Sequence, residues 1–133
     1  MEDNRGNQDK RKSERLNSAF TLTYTVEKPV NLRFEVGWDN DLDALMVDIS
    51  DLGMSIITKH NLSIGAQLHF KINIIDHHLE GDERWKHMEV NGTVVHSVRL
   101  SDKSHKIGIR FDQISAKDKL LISDFVKRNK ISS

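Results

Sequence analysis

Residues 44–57 read Ala44-Leu45-Met46-Val47-Asp48-Ile49-Ser50-Asp51-Leu52-Gly53-Met54-Ser55-Ile56-Ile57. Two apolar runs flank Asp48-Ile49-Ser50-Asp51-Leu52-Gly53, so these six residues make the bend between two strands. The bend holds a carboxylate, a hydroxyl and a glycine close together. Glycine reaches positive φ without strain and carries no side chain to keep a ligand away. Asp and Ser fold back onto local amides or turn outward as acceptors. Taken alone, Asp-x-Ser-x-x-Gly is ordinary turn chemistry.

Upstream, Phe20, Leu22, Tyr24 and Val26 alternate with Thr21, Thr23 and Thr25, the period-two pattern of a half-buried strand. Lys28-Pro29 breaks it. Leu32, Phe34 and Val36 then alternate with Asn31, Arg33 and Glu35, which predicts a second strand, and residues 37–41 read as a turn. Downstream of the bend, His60 to Gly65 reads as a loop, and Leu68, Phe70, Ile72 and Ile74 resume the alternation. The polar stretch from His77 to His87, with Gly81 inside it, reads as a long loop or hairpin tip. In the next strand Val90, Gly92, Val94 and His96 share one face, with Thr93 and Val95 on the other. Residues 101–104 turn the chain into a last strand, where Ile107, Ile109 and Phe111 alternate with Gly108 and Arg110.

The period then changes. Ser115 with Asp118 three residues on resembles a capping box. Leu121, Ile122, Phe125 and Val126 form one helical stripe, predicting a helix from about Ser115 to Asn129. Six or seven short strands and one terminal helix point to a mainly β fold, a small barrel or sandwich plugged by that helix.

A length of 133 residues fits one domain with a real core. The 20 basic and 20 acidic residues balance, so no global field recruits nucleic acid or an anionic membrane, and any anion site is local. The absence of cysteine excludes disulfides and thiolate chemistry. The polar N-terminus lacks a signal-peptide core, and no apolar run approaches the roughly 20 residues that span a bilayer, so a cytoplasmic protein without membrane insertion is expected. Residues 1–17 are too polar to bury enough surface to offset their ordering entropy. They are expected to form a flexible arm ahead of a domain over 18–133.

That arm carries Lys10-Arg11-Lys12 and then Arg15. Arg11 and Arg15 share a face on a helical turn, or stand roughly 13 Å apart when extended. Guanidinium forks bind phosphate oxygens and the O6/N7 edge of guanine, and the plane stacks on bases. A basic run of this kind is otherwise a solvated tail.

An Arg-x-x-x-Arg arm followed by Asp-x-Ser-x-x-Gly at a strand bend resembles the PilZ domain family. Gly65-Ala66-Gln67-Leu68, Gly92-Thr93-Val94-Val95, Gly108-Ile109-Arg110-Phe111 and the terminal helix continue the resemblance, which covers about residues 10–129. It implies a six-stranded antiparallel β-barrel with a C-terminal helix, here as a single-domain member, binding the bacterial second messenger cyclic di-GMP. By that resemblance Arg11 and Arg15 grip phosphates and guanine edges, Asp48 and Ser50 hydrogen-bond a guanine, and Gly53 permits close backbone approach. Lys10 stands at a position that touches ligand in the family, and His96 lies near where relatives stack a side chain on guanine. The implied role is a non-catalytic receptor, with no cofactor beyond that ligand, whose arm orders on binding and whose new surface a downstream protein reads. The stretch between arm and bend is longer than is usual for the family.

Other classes find less support. Adjacent histidines such as His77-His78 point to opposite faces of a strand, and no His-x-x-x-His pattern occurs, so no metal site is expected. No nucleophile elbow or Walker loop suggests catalysis. An OB-like binder of single-stranded nucleic acid needs a basic groove and exposed aromatics, which a net charge of zero and 8 aromatic residues do not supply. A PilZ-fold module that only contacts proteins is opposed by the intact signature residues. Trp38 and Trp85, if exposed in loops, favour partner binding in either case.

Overall fold

The computed structural model describes residues 16–37, 41–76 and 79–131. Six strands close into an antiparallel barrel: β1 (Leu16–Lys28), β2 (Leu42–Ile49), β3 (Gly53–Thr58), β4 (Gln67–Ile75), β5 (Trp85–Arg99) and β6 (His105–Asp112). Around the barrel the order is β1-β2-β3-β6-β5-β4, with β4 pairing back onto β1. Helix α1 (Val30–Val36) follows β1, a short 3-10 turn (Gly81–Arg84) precedes β5, and α2 (Ala116–Ile131) ends the described chain. Closure pairs every strand on both sides and leaves no edge for another chain to extend.

Alternation decides what lies inside. Leu22, Tyr24 and Val26 of β1, Leu68, Phe70, Ile72 and Ile74 of β4, and Ile107, Ile109 and Phe111 of β6 are buried together. Each large side chain so enclosed contributes about 1.5–3 kcal/mol. The Tyr24 ring lies 5.9 Å from that of Phe70, tilted by 43°, and its hydroxyl shares a 2.8 Å hydrogen bond with the buried Thr58 hydroxyl. Burial pushes its phenol up to about 12.

Two expectations from the sequence are corrected. The run Leu32–Val36 is not a strand; it lies in α1. Over so short a span, alternating residues also satisfy the i, i+4 spacing of a helical turn. Leu32 is buried and Val36 packs on the core, while Phe34 is 64 % exposed on the other side. Pro29 accepts the first helical hydrogen bond from Arg33 N–H (3.1 Å), and Gly37 at φ 107° ends the helix. Second, the loop before β5 is shorter than His77 to His87: β5 already begins at Trp85, and His87 pairs with Asn73 of β4.

Helix α2 starts as its cap predicts, with Asp118 N–H donating to Ser115 Oγ at 3.1 Å. Its stripe of Ile122, Phe125 and Val126 is buried. Phe125 meets Phe20 of β1 with ring centroids 5.8 Å apart, and Arg128 Nε donates to the buried Asp76 Oδ2 at 2.7 Å. Among the described residues no helix is long and apolar enough to cross a membrane.

Candidate functional site

The bend between β2 and β3 is tightly made. Ser50 N–H donates to the Gly53 carbonyl (2.8 Å), and Leu52 N–H donates back to Ser50 Oγ (3.2 Å). Ser50 is buried, so its hydroxyl helps to shape the turn. Gly53 does not use positive φ. What it needs is space: a Cβ built there would sit 2.0 Å from the Ile109 carbonyl oxygen of β6. The glycine therefore permits the close approach of its own neighbouring strand. Asp51 Oδ1 is enclosed here with no hydrogen-bond partner among the described residues.

Asp48 reaches the outside of the barrel through an irregularity. Met46 pairs with Ile56, but Asp48 pairs with Ser55, so β2 carries one extra residue, Val47. Were the same residues paired without the bulge, Asp48 would follow Leu42, Ala44 and Met46 into the core. Bulges of this kind re-aim side chains beside functional sites. A matching bulge lies in β5: Val94 pairs with Ile109 and His96 with Gly108, which leaves Val95 unpaired. This corrects the sequence expectation for His96, which does not share the inner face of Val90, Gly92 and Val94. It is exposed and lies beside Gly108, where an added Cβ would come within 3.1 Å of His96 Cβ.

These registers line up one row across four strands. Asp48 on β2 pairs with Ser55 on β3, Ser55 with Gly108 on β6, and Gly108 with His96 on β5. Three interstrand steps make the row roughly 14 Å long. Its two central positions are small, so Asp48 and His96 stand at the ends of a flat floor. On β1, Asn17 pairs with Asp48 and Leu16 with Ile49, so the chain enters the barrel beside the Asp48 end. Lys10, Arg11 and Arg15 lie outside the described residues. The bend brings Asp48, Ser50 and Gly53 together, and the bulge in β5 adds His96 to the row of Asp48. Ser55 and Gly108 were not foreseen as site residues, because Gly-Ile-Arg-Phe reads as strand alternation and as a later strand of the resemblance, with no ligand role attached.

A second row runs alongside, from Gly53 to Arg110 on β6 and Thr93 on β5. Thr93 Oγ1 donates to Asp112 Oδ2 at 2.7 Å, and the other Asp112 oxygen faces Arg110 Nη2 at 3.6 Å. Beside these residues a groove of about 630 Å³ continues toward Gln67, Glu27 and Lys28. Among the described residues no three His, Asp or Glu side chains are grouped to hold a metal.

The sequence pattern of the PilZ domain matches residues 9–128. The chain belongs to the PilZ domain family. No curated protein matches it. Among solved structures, this PilZ domain resembles the Bacillus subtilis inhibitor of motility MotI/DgrA, at TM-score 0.69 and 15 % identity, covering 93 % of this chain and 53 % of the other. It also resembles Escherichia coli YcgR in complex with c-di-GMP, at TM-score 0.61 and 13 % identity over 92 % of this chain and 47 % of the other. The isolated PilZ domain of YcgR with c-di-GMP matches at TM-score 0.55 and 12 % identity, over 93 % and 98 % of the two chains. The chain thus spans about half the length of the first two proteins and nearly all of the isolated domain. At these identities the likeness establishes the fold.

Proposed function

We propose that this PilZ domain is a receptor for cyclic di-GMP, bound on the outer floor between Asp48 and His96. The pairing of Asn17 with Asp48 carries this reading. Arg15 precedes Leu16 in the sequence, so the arm with Arg11 and Arg15 joins the barrel at the carboxylate end of the floor. Arg11 and Arg15 then grip the phosphates and a guanine edge, with Lys10 adding charge. Asp48 accepts from the donor edge of guanine, Ser50 and Gly53 hold the turn at that edge, and the His96 ring stacks on a base. Structures of relatives solved with c-di-GMP support the ligand's identity.

The ligand works by fixing the arm across the floor, and the surface so formed is read by a protein partner. Only contacts with the nucleotide offset the arm's ordering entropy, so its level sets the population of the signalling form. No bond is made or broken.

Isothermal titration of cyclic di-GMP into the wild type, Arg15→Ala and Asp48→Ala tests the reading. Micromolar or tighter binding by the wild type, lost in Arg15→Ala and weakened in Asp48→Ala, is the expected result. No heat and no thermal shift at excess nucleotide would sink it and leave a module that contacts proteins alone.

A further inference from the structure

Resting on that reading, we infer that Arg110 is a further ligand-binding residue of the same site, gripping a phosphodiester of the cyclic dinucleotide from strand β6. Arg110 stands on the outer face of β6, two residues or roughly 7 Å along the strand from Gly108 in the centre of the floor. Its register partners are Gly53 and Thr93. Because Gly53 has no side chain, nothing rises from β3 to block the guanidinium on that side. The side chain is 62 % exposed, and its ion pair with Asp112 is 3.6 Å long, too long for a strong hydrogen bond. Asp112 is itself held by Thr93 through its other oxygen. The carboxylate therefore steadies the guanidinium while most of its donors stay available.

Charge makes the same case. The described floor residues Asp48, Ser55, Gly108 and His96 offer no permanent cation to a ligand carrying two phosphates. Two cations flank Gly108 at equal spacing on β6, Arg110 and Lys106. They differ in surroundings. Lys106 pairs with Ile57 and Val98, so its stem lies between apolar neighbours and presents only a point charge. Arg110 presents a planar fork that matches two phosphate oxygens.

This symmetry supplies the control. Cyclic di-GMP is titrated into the wild type, Arg110→Ala, Arg110→Lys and Lys106→Ala at low and high salt, with thermal unfolding confirming that each variant is folded. Arg110→Ala is expected to weaken binding roughly ten- to a hundredfold. Arg110→Lys recovers part of that, and Lys106→Ala stays within about twofold. Equal losses in Arg110→Ala and Lys106→Ala that vanish at high salt would mean a general field and overturn the contact. So would undiminished binding by Arg110→Ala. A wild type that binds nothing overturns the receptor reading and this inference with it, and the wild-type titration alone tells that failure from the others.

Discussion

Gly53 shows how one residue can serve a purpose besides the one its motif suggests. A glycine at a bend invites an argument from backbone freedom or ligand approach, yet here a Cβ would meet the Ile109 carbonyl oxygen at 2.0 Å. Backbone oxygen cannot rotate away, so Gly53→Ala must push β3 from β6. A loss of about 2–3 kcal/mol is expected, read by urea unfolding. The sequence made the residue legible and its reason illegible, because strand separation is a tertiary quantity. Tyr24, the single tyrosine, makes a second prediction at this scale. Its phenol lies at about 12, against an ordinary value near 10. The folded state thus holds the proton more tightly, so stability is unaffected below pH 10 and falls as pH rises toward 12, by up to about 2–3 kcal/mol. Tyr24→Phe should flatten that alkaline decline, and absorbance of the phenolate in the wild type reports the same titration directly.

At the scale of elements, the outer faces of β4 and β5 are laced by polar side chains. The His69 ring meets Asn91 Oδ1 at 2.7 Å and Glu89 Oε1 at 2.9 Å, and His87 meets the other Glu89 oxygen at 3.3 Å. The Asn91 contact first, then Glu89 and the more distant Glu27, hold His69 above its ordinary 6.5. A raised histidine stabilises the fold fully below pH 6.5 and loses that contribution as pH climbs through the folded value. NMR titration should find the His69 midpoint above 6.5, moving down in Asn91→Ala and less in Glu89→Gln. The α2 anchor is a separate case. Asp76 is fully buried, and Arg128→Ala takes a guanidinium from it, so a loss of about 3 kcal/mol is expected in chemical unfolding. Helix α2 was legible because a cap and a four-residue stripe agree over several turns. Helix α1 was not, since in seven residues the strand and helix periods share Leu32 and Val36 and differ only at Phe34.

For the whole molecule, closure of the sheet makes the barrel wall a single ladder with α2 packed against β1 through Phe20 and Phe125. A ligand that binds only this folded form must raise its melting temperature. A hundredfold excess of cyclic di-GMP over its dissociation constant adds about 2.7 kcal/mol, so a thermal melt should shift upward by several degrees. The six strands and the terminal helix were readable from periodicity because nearly every strand has one buried face, although the same reading counted the α1 segment as a further strand. The candidate floor was readable only at its Asp48 corner. Its other members come from strands far apart in sequence, and the residues that aim them, Val47 and Val95, are ordinary strand formers that leave no compositional mark. Those two valines make the site a matter of counting. Deleting either one would leave Asp48 or His96 next after the inward Met46 or Val94, still outward and opposite the same partner, and would remove only the bend and added twist that the bulge gives its strand. A relative of the same length whose strands paired without the bulge would thus spell the motif correctly and still turn its side chain away from the floor.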